Sequence, residues 1–307
     1  MGLEALYWMP FLAKLRAAGL DKDRLIPISS AGAASWYEAP VGLELYALRS
    51  PASVRIENKA QVLRYGLIKQ THVTDWDRAV LKDAAESLGL KTYLPLHPSW
   101  MYQAMAPFWA GHTGAVACDR HLLLTTLPLP SLPDSVVLPP QFVAVKFYSR
   151  HTLPPNPQTI AFVEHSVRQI AARHPVVLLD WDGHTDDHTD FPIPAIPNVT
   201  RLSALWPTIQ PETALSAQSA VLARSMGFVG TYGGFAHLAL RYQRPVVSYY
   251  WEWGGVAFPH RTLSEQLGLA MGVPFHCLRI MDLAMLQEVM PHLVLQPPAA
   301  PTQLQTV

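Results

Sequence analysis

From residue 141 onward the chain alternates between short unbroken apolar runs and longer stretches in which apolar residues recur every three or four positions. FVAVKFYS (142–149) and PVVLLDW (175–181) are runs of the first kind, as expected for strands of a parallel sheet covered on both faces. Between them, Ile160, Val163, Val167, Ile170 and Ala171 lay one apolar stripe along a helix predicted over 158–173. The same reading predicts a helix at 213–225, a strand at 227–230, a helix at 234–242 and a strand at 245–251. A weaker helix around 261–268, a strand near 275–280 and a helix near 282–290 follow. Strands and helices in alternation with short connections predict a doubly wound α/β unit over 141–290.

The first 127 residues are less regular. Residues 3–18 and 74–89 read as helices, the second capped by Thr74, while LIPIS (25–29) and KTYLPL (91–96) read as strands. These predict a second α/β domain over 1–127, abbreviated because the chain opens on a helix where a nucleotide-fold domain normally opens on a buried strand. Pro128, Pro130, Pro133, Pro139 and Pro140 disfavour both helix and central strand, so 128–140 reads as a linker. A second proline-rich stretch, within 291–307, reads as a tail.

Composition narrows the partners. The 23 basic and 23 acidic residues balance, so no electrostatic footprint supports binding to nucleic acid or an anionic bilayer. Cys118 and Cys277 lie far apart, which argues against a disulfide framework and a structural zinc site and fits a reducing cytoplasm. Glu4 and Lys14 interrupt the first apolar stretch, which also lacks a basic start and a cleavage site. Neither a signal peptide nor a transmembrane segment is expected. The local signatures of serine hydrolases, phosphate-loop NTPases and zinc proteases are absent from the sequence.

The segment richest in chemistry is GTYGG (230–234), a glycine turn between a buried strand and a helix. Ligands of open α/β sheets sit beyond the carboxyl ends of strands, and exposed amides at a helix start favour phosphate. The alternative is a tight turn whose glycines only let the helix pack. Lys146, near the end of the first strand of this half, is either a cation facing the same place or a surface lysine. LLDWDGHTDDHTDF (178–191) concentrates acids and histidines after a strand. Asp180 and Asp182 form an Asp-x-Asp suited to a hard divalent metal, Asp187 and His188 are candidate substrate contacts, and an ordinary polar loop is the third reading.

GFVGTYGGFAHLALRYQRPVVSYY resembles the nucleotide-binding half of B-type glycosyltransferases, two Rossmann-like domains facing across a cleft. Heptosyltransferases carry Asp-Thr-Gly-x-x-His-Leu-Ala here, and Gly234, His237, Leu238 and Ala239 match its latter part. The related nucleotide-sugar 2-epimerases carry a Ser-Gly-Gly turn, which Gly233, Gly234 and Ala239 fit; Tyr232 and His237 depart from acidic residues of these families. The segments GLEALYWMPFL, LHPSWMY and FVAVKFYSR are also similar to those of bacterial glycosyltransferase-like proteins.

The resemblance implies transfer of a sugar from a nucleotide-sugar donor to a saccharide-like acceptor, with inversion, with no cofactor and no metal requirement. It assigns the donor to Lys146, Tyr148, Gly230, Thr231, Tyr232, Gly233, Gly234, Phe235 and His237, with helix packing the alternative for His237. An inverting transferase needs a base for the acceptor hydroxyl. Glu4 is the first choice and His97 the second, although an acid in a first helical turn and a histidine before proline also serve structure. Trp36 and Tyr37, in ISSAGAASWYE (28–38), are either aromatic platforms for a sugar ring or buried loop residues. An epimerase on the same fold and a non-catalytic sugar- or nucleotide-binding relative are the competing functions.

Overall fold

The computed structural model describes residues 2–66, 70–181, 188–252 and 257–282. A π-helical turn at Glu4–Trp8 runs directly into α1 (Met9–Ala17). β1 (Ile28–Ser29) and β2 (Leu43–Glu44) form a short parallel pair, followed by α2 (Leu45–Leu48), α3 (Pro51–Tyr65), α4 (Asp75–Ser87) and α5 (Ser99–Trp109). α4 starts where its sequence says. The Thr74 hydroxyl accepts from the Asp77 N–H and the Asp77 carboxylate accepts from the Thr74 N–H, a reciprocal cap.

Two longer helices, α3 and α5, lie outside the helical ranges that the pattern predicts, as do the four-residue α2 and α7. α3 turns Ile56 and Leu63 outward, 69% and 87% exposed, so no inward apolar stripe announces it. α5 is crowded with aromatic residues and contains Pro107, which masks its period. KTYLPL, read as a strand, is irregular and mostly exposed, because no strand lies beside it to pair with its backbone. Residues 128–140 carry neither helix nor strand, as their prolines require, and Arg224 Nη1 holds them through the Pro130 carbonyl at 2.8 Å.

The second half runs β3 (Val143–Lys146), β4 (Tyr148–Ser149), α6 (Pro157–Ala171), β5 (Val176–Leu178), β6 (Thr189–Asp190), β7 (Val199–Arg201) and α7 (Leu202–Leu205). It continues through α8 (Ala214–Leu222), β8 (Gly227–Thr231), α9 (Gly234–Arg241), β9 (Val246–Tyr250), α10 (Phe258–Met271) and β10 (Phe275–Arg279). The helix expected near 282–290 lies outside the described residues, as does the tail. A six-stranded parallel sheet has the order β10-β9-β8-β3-β5-β7. Starting from β7, these are the third, second, first, fourth, fifth and sixth strands of this sheet in chain order, a doubly wound, Rossmann-like order. β7 is too short to have shown itself in the sequence pattern. β4 and β6 form a separate antiparallel pair just beyond the carboxyl end of β3.

The pleat divides the core. Val143, Val145, Val176, Leu178, Val229 and Val247 face one layer, covered by Phe162, Val163, Val167 and Ile170 of α6. Ala144, Val177, Phe228 and Val246 face the other, with Leu222 of α8, Leu238 and Leu240 of α9, and Leu263 and Leu267 of α10. Leu6, Tyr7, Leu12, Trp36, Met101 and Met105 are buried in that same second cluster, so the N-terminal residues complete the layer. No helix among the described residues is long and apolar enough to cross a membrane.

Candidate functional site

The chain winds outward in opposite directions from β3 and β8, so the connections leaving these neighbours diverge at their carboxyl ends. Lys146, the last residue of β3, is in register with Gly230 of β8. From Gly230 the chain passes through Thr231 and Tyr232 to a turn at Gly233 and into α9. The glycine turn therefore lies at the topological switch point of the sheet.

Gly233 has φ +152° and ψ −143°, a backbone region that is essentially closed to residues with a Cβ. A Cβ there would also stand 2.2 Å from the Tyr148 hydroxyl oxygen, so Tyr148 lies directly over the turn. α9 begins without a side-chain cap, whereas α4 and α6 have full capping boxes. Its first amides carry the partial positive charge of a helix start. The Lys146 ammonium lies 5.8 Å from the ring centroid of Phe235, the second residue of α9.

β6 brings Asp190 opposite Tyr148 in the β4–β6 pair, and the Lys146 ammonium donates to Asp190 Oδ2 at 2.7 Å. His188 meets the Tyr148 ring edge-on, with centroids 4.7 Å apart. Nearby His151 is held below the ordinary histidine value by burial, then by the charge of Arg150 and by His188. The fold thus gathers Lys146, Tyr148, His188, Gly233, Gly234 and Phe235 around one place. Asp187 lies outside the described residues. Asp190 was visible only as one member of the acidic stretch; nothing local marked it as the partner of Lys146.

The remaining donor candidates support the turn from behind. Gly230 lacks a side chain because a Cβ would come within 2.0 Å of the Lys146 carbonyl oxygen in the adjacent strand. Thr231 is fully buried, and its hydroxyl accepts from the Tyr148 N–H at 3.0 Å and donates to the Tyr148 carbonyl at 2.9 Å. That hydroxyl splices β8 to β4 rather than facing a donor. Tyr232 is buried against His237, ring centroids 5.4 Å apart, and its hydroxyl has no hydrogen-bond partner among the described residues. His237 is buried with Nδ1 3.0 Å from the Ser264 hydroxyl; burial, followed by His260, pushes its pKa down to about 3, so the ring is neutral at pH 7. Of its two readings, the geometry favours packing.

On the N-terminal side, the Tyr37 hydroxyl donates to Glu4 Oε1. Burial first, and then the Glu4 charge, hold that hydroxyl well above the ordinary tyrosine value, which keeps it a donor. A Cβ at Gly2 would lie 3.5 Å from Gly234 Cα, so the chain entering the Glu4 turn rests against the start of α9. Trp36 is 1% exposed and its indole N–H donates to the Ser219 hydroxyl at 3.1 Å; Tyr37 is 7% exposed. Neither presents an open face for sugar stacking. The small residues of this loop instead make a concave turn, with Ala31 at φ +58° and Gly32 at φ +81°, whose N–H groups donate to Glu44 at 2.9 and 2.8 Å. An internal carboxylate fills that cradle.

His97 braces helices. Its Nδ1 accepts from the Ser99 N–H at 3.1 Å, which leaves the proton on Nε2, 3.6 Å from Asp77 Oδ2. Burial alone would raise the Asp77 carboxyl, but the nearby His97 ring and the hydrogen bonds from Thr74 outweigh it and hold the value below normal. A depressed carboxylate contributes stability above its unfolded pKa and loses it as pH falls through the folded value. His97→Ala is therefore expected to destabilise by about 1–2 kcal/mol in urea unfolding at pH 6. The deficit should begin to shrink below pH of about 4, where Asp77 of the unfolded chain protonates, and be lost as pH falls through the lower folded value; a pH-independent deficit would show that this pair contributes nothing. Asp180, the first acid of the Asp-x-Asp, accepts from the Ser203 hydroxyl at 2.8 Å and from Arg201 at 3.2 Å, fastening the start of α7, while Asp182 lies outside the described residues. Among the described residues, no group of three His, Cys, Asp or Glu side chains is placed to hold a metal ion.

No protein family matches this chain, and no curated protein matches it significantly.

Proposed function

We propose that the chain is an inverting glycosyltransferase of the B type that takes its sugar from a nucleotide-sugar donor in the cytoplasm without a metal. One observation carries the reading: a lysine and an uncapped helix start converge at the switch point of a doubly wound sheet. In this reading Lys146 and the amides at Gly233, Gly234 and Phe235 hold the diphosphate, stabilising the negative charge that develops on the leaving group. In this reading residues 1–127, which pack on the nucleotide half through Leu6, Tyr7 and Trp36, supply the acceptor side. Glu4, oriented by Tyr37, takes the proton of a saccharide-like acceptor hydroxyl. His97 is the weaker base because Ser99 occupies Nδ1 and the ring is buried beside Asp77.

Isothermal titration with a panel of nucleoside diphosphates tests the site. At least one is expected to bind, and Lys146→Ala is expected to weaken it by about a hundredfold, the loss of one charge-assisted contact of up to about 3 kcal/mol. Absence of binding, or unchanged binding by Lys146→Ala, would refute the assignment. A passive nucleotide- or sugar-binding role draws support from the N-terminal region, whose described strands are only the two-residue pair β1–β2. Donor hydrolysis or transfer that disappears in Glu4→Gln, with diphosphate affinity retained, would exclude that role.

A further inference from the structure

We propose that the seat of the Glu4–Trp8 turn on α9 and α10 is an acid-released latch, closed by Tyr7, His237 and His260. It holds whether or not the chain is a transferase. Tyr7 is fully buried, and its hydroxyl lies 2.7 Å from Nδ1 of the partly buried His260 in the first turn of α10. Burial holds that hydroxyl far above the ordinary tyrosine value, so it keeps its proton and donates to the ring nitrogen. One helical turn further along α10, the Ser264 hydroxyl donates to the His260 carbonyl at 2.9 Å and therefore accepts from Nδ1 of His237, on α9, at 3.0 Å. Trp109 of α5 covers the junction, its ring edge-on to Tyr7 and His260 with centroids 5.2 and 5.7 Å away.

These contacts use neutral imidazoles. A second proton on His260 would occupy the nitrogen that accepts from Tyr7, and one on His237 would place a charge, only 4% exposed, beside His260. Among the described residues neither ring is paired with a carboxylate. His237 faces Tyr232, Ser264, His260 and the amino terminus; on α10, Arg261 and Glu265 pair with each other at 2.6 Å, and Glu4 is engaged by Tyr37. Burial first, then His260 and the amino terminus, push His237 down to about 3, and burial pushes His260 down to about 4. An open state takes up protons below about pH 6.5, where an exposed histidine titrates, whereas the closed state takes them up only near the lower values. Stability of the closed state is therefore lost as pH falls between these limits. From pH 7 to pH 5 opening is favoured by about twentyfold for each histidine, or about four hundredfold for both. Arg241 stays charged over this range, so its hold on the Ala5 carbonyl does not vary.

Hydrogen exchange read by mass spectrometry at pH 7 and pH 5, corrected for the intrinsic pH dependence of amide exchange, compares residues 2–17 with strands β3 and β8. The turn is expected to be less protected than the strands at pH 7 and to lose about four hundredfold in protection by pH 5. Asparagine reproduces the Nδ1 position without titrating, so His237→Asn and His260→Asn should each cut that loss to about twentyfold. Tyr7→Phe keeps both histidines and removes the hydroxyl, and should lower protection of the turn at pH 7 by about fivefold, one hydrogen bond. Cooperative thermal unfolding at pH 7 establishes which variants are folded; if the asparagine variants are not, the wild type and Tyr7→Phe decide. Equal protection of turn and strands at both pH values, a wild-type loss of less than about tenfold, an undiminished loss in folded asparagine variants, or unchanged protection in Tyr7→Phe overturns the latch.

Discussion

Gly230→Ala is expected to destabilise the protein by about 3 kcal/mol or more, at or above the upper end of overpacking substitutions. The added methyl carbon would lie 2.0 Å from the Lys146 carbonyl oxygen, 2.9 Å from its carbonyl carbon and 2.8 Å from the Phe228 ring. The first two contacts are backbone and cannot rotate away. Relief requires β8 to part from β3, which breaks the ladder that runs from Val143–Gly227 to Lys146–Gly230 at the centre of the sheet. Because Lys146 terminates that ladder, nucleoside-diphosphate affinity should fall together with stability. Urea unfolding measures the first effect and titration at a temperature where the variant is folded measures the second. Gly114→Ala is the control: no atom lies within 4 Å of its Cβ position, and a change within about 0.5 kcal/mol is expected for such a site. Equal stabilities of the two variants would mean that β3 and β8 are spaced more widely than described.

Arg241→Met is expected to cost about 3 kcal/mol, because it removes the buried donors that satisfy two backbone carbonyls and leaves those acceptors unpaired. Arg241 is 1% exposed, and it donates from Nε to the Thr125 carbonyl and from Nη1 to the Ala5 carbonyl, both at 2.6 Å. Its own carbonyl accepts from the Leu127 N–H at 3.1 Å. One side chain on α9 therefore fastens both the Glu4–Trp8 turn and the residues leading into the proline-rich segment. Burial lowers its pKa to about 10, still high enough for the guanidinium to be charged at neutral pH. Lysine places its donors at a single point rather than in a planar fork, so Arg241→Lys should recover only part of the loss. If Arg241→Met unfolded at the wild-type urea concentration, the N-terminal turn would have to be held by apolar packing alone. Because this turn carries Glu4, the variant is also expected to reduce transfer more than donor binding.

The legible parts of the fold share a short range. The stripe of Val163, Val167 and Ile170 identifies α6 because its members are one helical turn apart, and Thr74 announces α4 because its partner Asp77 is three residues away. The unbroken apolar character of β3, β8 and β9 reflects cover on both faces, so a parallel sheet was readable before any strand had a neighbour. α3 escaped because Ile56 and Leu63 face outward, and KTYLPL misled because strand-like residues without a partner strand form no strand.

At the site the same boundary applies. Lys146 and GTYGG stand out in the sequence as residues suited to hold an anion, and the sheet order brings them together. The roles within GTYGG depend on contacts made from elsewhere: Gly230 on the Lys146 carbonyl, Thr231 on the Tyr148 backbone, and Gly233 on its own backbone angles and the Tyr148 hydroxyl. Trp36 and Tyr37 carry no local sign of burial, since an aromatic residue in a loop has the same sequence whether it faces solvent or Ser219 and Glu4. The sequence by itself determined most of the strand and helix succession from residue 141 onward, the cap of α4 and the presence of a glycine turn before α9, because periodicity, capping and turn chemistry act within a few residues. Only the tertiary structure decided the strand order, the switch point, the hold of Arg241 on the N-terminal turn and the pairing of Lys146 with Asp190. Those depend on which distant segments become neighbours, a choice made by burial and backbone pairing across the whole sheet.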